Sequence, residues 1–267
     1  MGLFTYLKST ILSKFVMALT GVILVAFITG HTVGNMQIFL GRDTFNTYAH
    51  FLQSLGELLW VIRIVLILSL IFHIITSVKL KLQNYSATPQ KYEVKRYIKA
   101  TLTGRTMIWT GIMVFAFLVY HLLHFTVGIT DPENFNKQEY FRKDAFIIMK
   151  QFQGHVMPHP SPNSIMIDNN PYSKLDNIAF ERHDVYYGVV KGFRQPLVTL
   201  FYVIGVILMG FHLSHAIQSM FQTLGINNPK YNGFLRGIGP ALSTIIVVCL
   251  ISIPVSILLG LVGGFIV

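Results

Sequence analysis

Cysteine is nearly missing from this chain of 267 residues: Cys249 stands alone, inside an apolar run. A single thiol excludes, within the chain, a disulfide framework, a thiolate zinc site, an iron–sulfur cluster and CxxCH attachment of haem. Charge is the second scarcity. Only 12% of the residues are Asp, Glu, Lys or Arg, about half the share of a soluble domain. Acids are scarcer than bases, 11 against 21, which leaves a formal net charge of +10. Such a balance can serve nucleic acid, but here the bases gather in one interhelical loop. That pattern reads as a membrane-topology signal, and no nucleic-acid partner is expected. Met1 to Thr10 lack the small-residue cleavage site of a signal peptide, so the first helix is expected to be retained.

What is present is apolar length. Hydrophobic residues make up 52% of the chain and the mean hydropathy is +0.55. A hydrocarbon layer of roughly 30 Å needs about 20 apolar residues at a helical rise of 1.5 Å. Five segments meet that length, at about residues 14–40, 57–79, 105–129, 196–224 and 238–266. Pro196 suits the first turn of the fourth, and Pro254 is expected to kink the fifth. The sequence therefore predicts an all-α integral membrane bundle of five transmembrane helices, one domain spanning residues 1–267. The stretch 130–194, with Pro158, Pro160 and Pro162, is expected to form a partly ordered cap. No internal repeat is evident.

Loop charge sets an expected orientation. Lys79, Lys81, Lys91, Lys95, Arg96, Lys99 and Arg105 lie between the second and third segments against one acid, Glu93. Short basic loops stay cytoplasmic, whereas long loops of mixed sign are exported. The 130–194 stretch is of the second kind, and Lys8 and Lys14 keep the N-terminus inside. The C-terminus is then outside.

Six of ten histidines fall in the apolar segments: His31, His73, His121, His124, His212 and His215. Polar groups at membrane depth are costly and usually functional. His31 stands 17 residues past Lys14 and His121 stands 16 past Arg105, both counted from the inner face. His73 stands 16 past Glu57 and His212 stands 16 past Pro196, both counted from the outer face. Four histidines thus form two level pairs, about 15 Å apart along the membrane normal. Two imidazoles facing each other at one depth suit six-coordinate haem b, an electron carrier with no open site for oxygen. A protein-ligated zinc would need three or four converging donors and a di-iron centre would need carboxylates, which these segments hardly offer. His121/His124 and His212/His215 are i,i+3 pairs, and depth alone leaves open which member ligates. Gly21, Gly30 and Gly34 around His31, Gly111 before His121, and Gly205 and Gly210 before His212 would make room for a planar guest or for close helix packing.

The combination of SKFVMALTG and HTVGN at His31, FHIITS at His73, GRTMIWTG and YHLLHF at His121, and HDVYYGVVKGFRQPLVTLFYV running into FHLSHAIQSMFQTLG at His212 resembles a known family. It is similar to the cytochrome b membrane-anchor subunit of succinate dehydrogenase and fumarate reductase, in its single-chain, five-helix, two-haem form. The resemblance covers nearly the whole chain. It implies His31, His73, His121 and His212 as iron ligands of two haems b, paired His31/His121 and His73/His212. It also implies a flavoprotein subunit and an iron–sulfur subunit on the inner face of a prokaryotic cytoplasmic membrane, with a quinone, often menaquinone, as redox partner. The succinate site would belong to a partner subunit. Another quinone-linked enzyme's anchor, of a hydrogenase or formate dehydrogenase, is the nearest alternative, and a haemless transporter the most distant. Glu57 and Arg63 are the ionisable side chains at the outer end of the second helix. Glu57 is a candidate for proton exchange with quinone, set against a plain interface residue, and Arg63 is read as snorkelling or pairing with a haem propionate.

Overall fold

The computed structural model describes residues 9–87, 102–142, 165–166, 178–226 and 230–264. Lys91, Glu93, Lys95, Arg96 and Lys99 of the basic loop, and Pro158, Pro160 and Pro162, lie outside them. Within them the chain is mostly helical. Helix α1 (Thr10–Met36) begins where the Ser9 side chain accepts the Ile11 N–H, a common way to satisfy a first-turn donor. A 3-10 turn (Gln37–Leu40) and Gly41, with φ 103°, lead into the amphipathic α2 (Arg42–Ser54). Then follow α3 (Glu57–Ser86), α4 (Leu102–Phe125) and the one-turn α5 (Pro132–Phe135). Strands β1 (Gln138–Arg142), β2 (Ile165–Met166) and β3 (Ile178–His183) form an antiparallel sheet in the order β2-β1-β3. Helices α6 (Val185–Phe193), α7 (Pro196–Thr223) and α8 (Asn232–Leu258) complete the chain.

Five helices are long and apolar enough to cross a membrane: Thr10–Leu40, Glu57–Ser86, Gly104–Phe125, Pro196–Thr223 and Gly233–Leu258. Their outward faces carry exposed apolar side chains, among them Trp60, Trp109 and Leu197, as lipid-facing surfaces do. The ends differ from those expected. The second span continues past Lys79 to Ser86 because the Lys79 Nζ donates to Ser13 Oγ on α1 at 2.8 Å, so its charge sits beside the helix without ending it. The third stops at Phe125, just before Gly128 turns with φ 75°. The fifth occupies Asn232–Leu258, shifted from 238–266, and Gly260 with φ 74° closes it. Pro240 and Pro254 both lie inside that helix.

Helix α7 is the hub and packs on α8, α4 and α1, while α1 also packs on α3. Close crossing is permitted by small residues. A Cβ on Gly239 of α8 would fall 2.4 Å from the Ser214 carbonyl oxygen of α7, and one on Gly205 would fall 2.3 Å from the Phe117 ring of α4. Between α7 and α8 lies a core of Val206, Met209, Leu213, Ile217 and Ile246. A second core of Ile38, Phe45, Tyr186, Val190, Phe193, Tyr202 and Ile257 joins the bundle to α2 and α6.

That second core underlies the expected cap, which also contains a three-stranded sheet. The cap is held by ions as well as apolar surface. Glu139 of β1 and Asp184 before α6 are each 1% exposed, and Asn46 of α2 is fully buried. Asn46 donates to both carboxylates, at 3.1 and 2.8 Å, and accepts the Tyr186 N–H at 2.9 Å. Arg182 donates to Glu139 at 2.7 Å, Asp43 at 2.6 Å and Thr47 at 2.8 Å, while Arg42 pairs with Asp184 and lies 3.4 Å from Glu139. Buried charges persist only when paired in this way. The network ties α2 to a sheet about a hundred residues later in the chain.

Candidate functional site

The histidines stand at two levels. Nearer the capped end, His31 of α1 and His121 of α4 meet with ring centroids 5.8 Å apart and planes at 89°. Phe27 stacks on His31 from one turn below, at 5.4 Å, and Phe117, Phe125 and Tyr202 surround His121 at 6.1, 5.8 and 5.9 Å. Three of these rings are i±4 neighbours of their histidine and so share its helix face. The Nδ1 of His121 is buried and has no hydrogen-bond partner among the described residues.

The far level is held from outside its own helices. His73 Nδ1 on α3 lies 3.2 Å from Thr20 Oγ1 on α1, and His212 Nδ1 on α7 lies 3.2 Å from Thr110 Oγ1 on α4. The threonines also measure the separation of the levels. Thr20 precedes His31 by eleven residues and Thr110 precedes His121 by eleven, which is about 16 Å on each helix.

This symmetry exposes a repeat that inspection of the sequence misses. Thr20-Gly21, Ala26-Phe27 and His31 recur in register as Thr110-Gly111, Ala116-Phe117 and His121. Some of the glycines serve close packing, one of the two roles expected of them. A Cβ on Gly21 would lie 3.8 Å from the His73 ring, and one on Gly111 would lie 3.4 Å from the His212 ring. Both are ordinary van der Waals distances, so a Cβ at either position would pack against a histidine of the neighbouring helix. Gly34 makes room for Tyr48, Gly205 for Phe117 and Gly210 for Val247, whereas Gly30 faces open space.

The i,i+3 ambiguities are also addressed by position. His124 is 5% exposed, bonds Tyr202 Oη through Nδ1 at 3.1 Å and stacks on Phe125 at 4.0 Å. A Cβ on Gly192 would lie 2.9 Å from its Nε2, so His124 is turned toward α6 and α7 and away from His31. His215 is half-buried and forms no hydrogen bond among the described residues. Glu57 stands exposed in the first turn of α3 with no ion pair among the described residues, and the Arg63 guanidinium lies over the Trp60 ring at 5.1 Å, a cation–π arrangement.

The donor set is two imidazoles per level. Among the described residues no three His, Cys, Asp or Glu side chains converge as a metal site. Two imidazoles sharing one metal through bonds of about 2 Å would place their centroids about 6 Å apart, close to the spacing of His31 and His121. The facing imidazoles of His31 and His121 and a buried nitrogen without a partner fit an iron porphyrin, which brings four ligands of its own. Comparison of the chain with protein-family models, with curated proteins and with solved structures returned no match.

Proposed function

We propose that this chain is the dihaem cytochrome b anchor of a succinate:quinone oxidoreductase. Its work would be to relay electrons across the membrane between an iron–sulfur subunit and quinone. The observation that supports this best is the pair of histidine levels about 16 Å apart, one on α1 and α4 and the other on α3 and α7. In this reading His31 and His121 hold one haem b, and His73 and His212 hold the other. Bound there, haem b supplies a one-electron carrier at each level. The paired imidazoles would fix its orientation and exclude oxygen from the iron, and the Phe117, Phe125 and Tyr202 rings would keep water from the capped-end level.

By the positive-inside rule the basic loop from Lys79 to Arg105 lies in the cytoplasm, so the far level faces the flavoprotein and iron–sulfur partners. The capped end is then outside, and quinone exchanges protons there. Glu57, exposed at that end, is the candidate to carry them. The test is purification of the complex from its native membrane. Two low-spin haems b per chain by pyridine haemochrome, with co-purifying flavoprotein and iron–sulfur subunits, are expected. One haem or none overturns the dihaem reading, and hydrogenase or formate dehydrogenase subunits in their place overturn the succinate assignment. Glu57→Gln should keep both haems and dye-linked succinate oxidation while losing most quinone-linked turnover. Full quinone turnover would return Glu57 to an interface role.

A further inference from the structure

We propose that Thr20 and Thr110 are positioning residues that set the electronics of the far level alone; this rests on the reading of the chain as a haem b protein. A threonine hydroxyl has one proton to donate. Thr20 gives it to its own helix, at the Val16 carbonyl 2.8 Å away, with Met17 O at 3.1 Å. Thr110 does the same toward Met107 O at 3.1 Å and Thr106 O at 3.3 Å. With that proton committed, the 3.2 Å contact to each histidine has one consistent polarity: Nδ1–H donates and the hydroxyl oxygen accepts.

Each hydroxyl therefore selects the tautomer with hydrogen on Nδ1 and leaves the Nε2 lone pair for a metal. A ligating histidine is generally oriented in this way by an acceptor on its other nitrogen, which also makes it a better electron donor. The same device occurs twice, on the two helices that share the repeat. The capped-end level lacks it: the His121 Nδ1 has no hydrogen-bond partner among the described residues.

A more electron-donating axial pair favours ferric iron, so the far level should have the lower reduction potential for this cause, and loss of a hydroxyl should raise it. The experiment is a redox titration of the purified complex, followed in the haem absorption bands, for Thr20→Val, Thr110→Val and the hydroxyl-preserving Thr20→Ser. One of the two redox components should shift toward easier reduction by about three- to tenfold in equilibrium constant, tenfold being about 59 mV for one electron. The other component should stay in place, and Thr20→Ser should match the unaltered protein. If Thr20→Val loses one haem, retention of both in Thr20→Ser supports the positioning role. Loss in both variants overturns it, because side-chain packing and not the hydroxyl would then be at stake. No shift, equal shifts in both components, or a Thr20→Ser that behaves like Thr20→Val also overturns it while leaving the two-haem reading intact. A complex without haem overturns both.

Discussion

The two histidine levels share a repeat on α1 and α4 yet differ in how their surroundings are built. Among the described residues the far-level histidines meet neutral partners: Thr20 contacts His73 and Thr110 contacts His212. Toward the capped end the polar resources are ionic, and they sit above the histidines, in the Glu139, Asp184, Arg42 and Arg182 network. The difference follows from solvation. Deep in an apolar bundle a hydroxyl that bonds its own helix brings an acceptor at little cost, whereas a charge is expensive. At the rim, α2 and the sheet can exclude water and still surround each ion with donors and acceptors. Fixed orientation and docking of loops are thus met by different chemistry at two depths.

The largest expected effect removes one level outright. His73→Ala and His212→Ala should each abolish the same haem, and His31→Ala and His121→Ala the other, so haem content falls by half in every case. Low-temperature optical spectra of the four variants should fall into two matching sets. If His73→Ala matches His31→Ala instead, the pairing by level is wrong. The next effect belongs to the cap. Glu139→Ala leaves Arg182 and Arg42 without their shared buried carboxylate and should cost about 3–5 kcal/mol. A lower thermal midpoint and earlier cleavage of the cap by protease should register it, while the spectrum of the far-level haem is unchanged. The smallest concerns His124, which resembles a ligand by spacing only. His124→Ala should retain both haems and cost about 1–3 kcal/mol through the unpaired Tyr202 hydroxyl. Loss of a haem in this variant would assign the capped-end ligand to His124 and not to His121.

Much of this architecture is legible in the sequence because depth and hydropathy are both linear along a helix. Counting from charges and Pro196 groups His31 with His121 and His73 with His212, and of these the His31 and His121 rings meet at 5.8 Å. The helix ends are less legible: hydropathy marks where apolar composition stops, and Lys79 lies well inside α3. The role of Thr20 and Thr110 is not legible one helix at a time, since a threonine in an apolar helix usually bonds its own backbone, as both do. Their second contact runs to a different helix, and alignment of the Thr-Gly and His positions of α1 with those of α4 was the available signal. Glu139, Arg182 and Asp184 read as charges of an exported loop, because burial of an ion is decided by partners distant in sequence.

The Lys79–Ser13 bond has a bearing on alignment. Helices α1 and α3 run antiparallel, and Ser13 lies seven residues before Thr20 while Lys79 lies six after His73. The two cross-links are therefore parallel rungs, about 10 Å apart along the helix pair. A slip of one residue would lift one helix by about 1.5 Å and turn its side chains by roughly 100°, and both rungs would break together. Lys79 and Ser13 thus act as a vernier on the helix pair: a contact made near the water holds, from a distance, the register in which Thr20 meets His73.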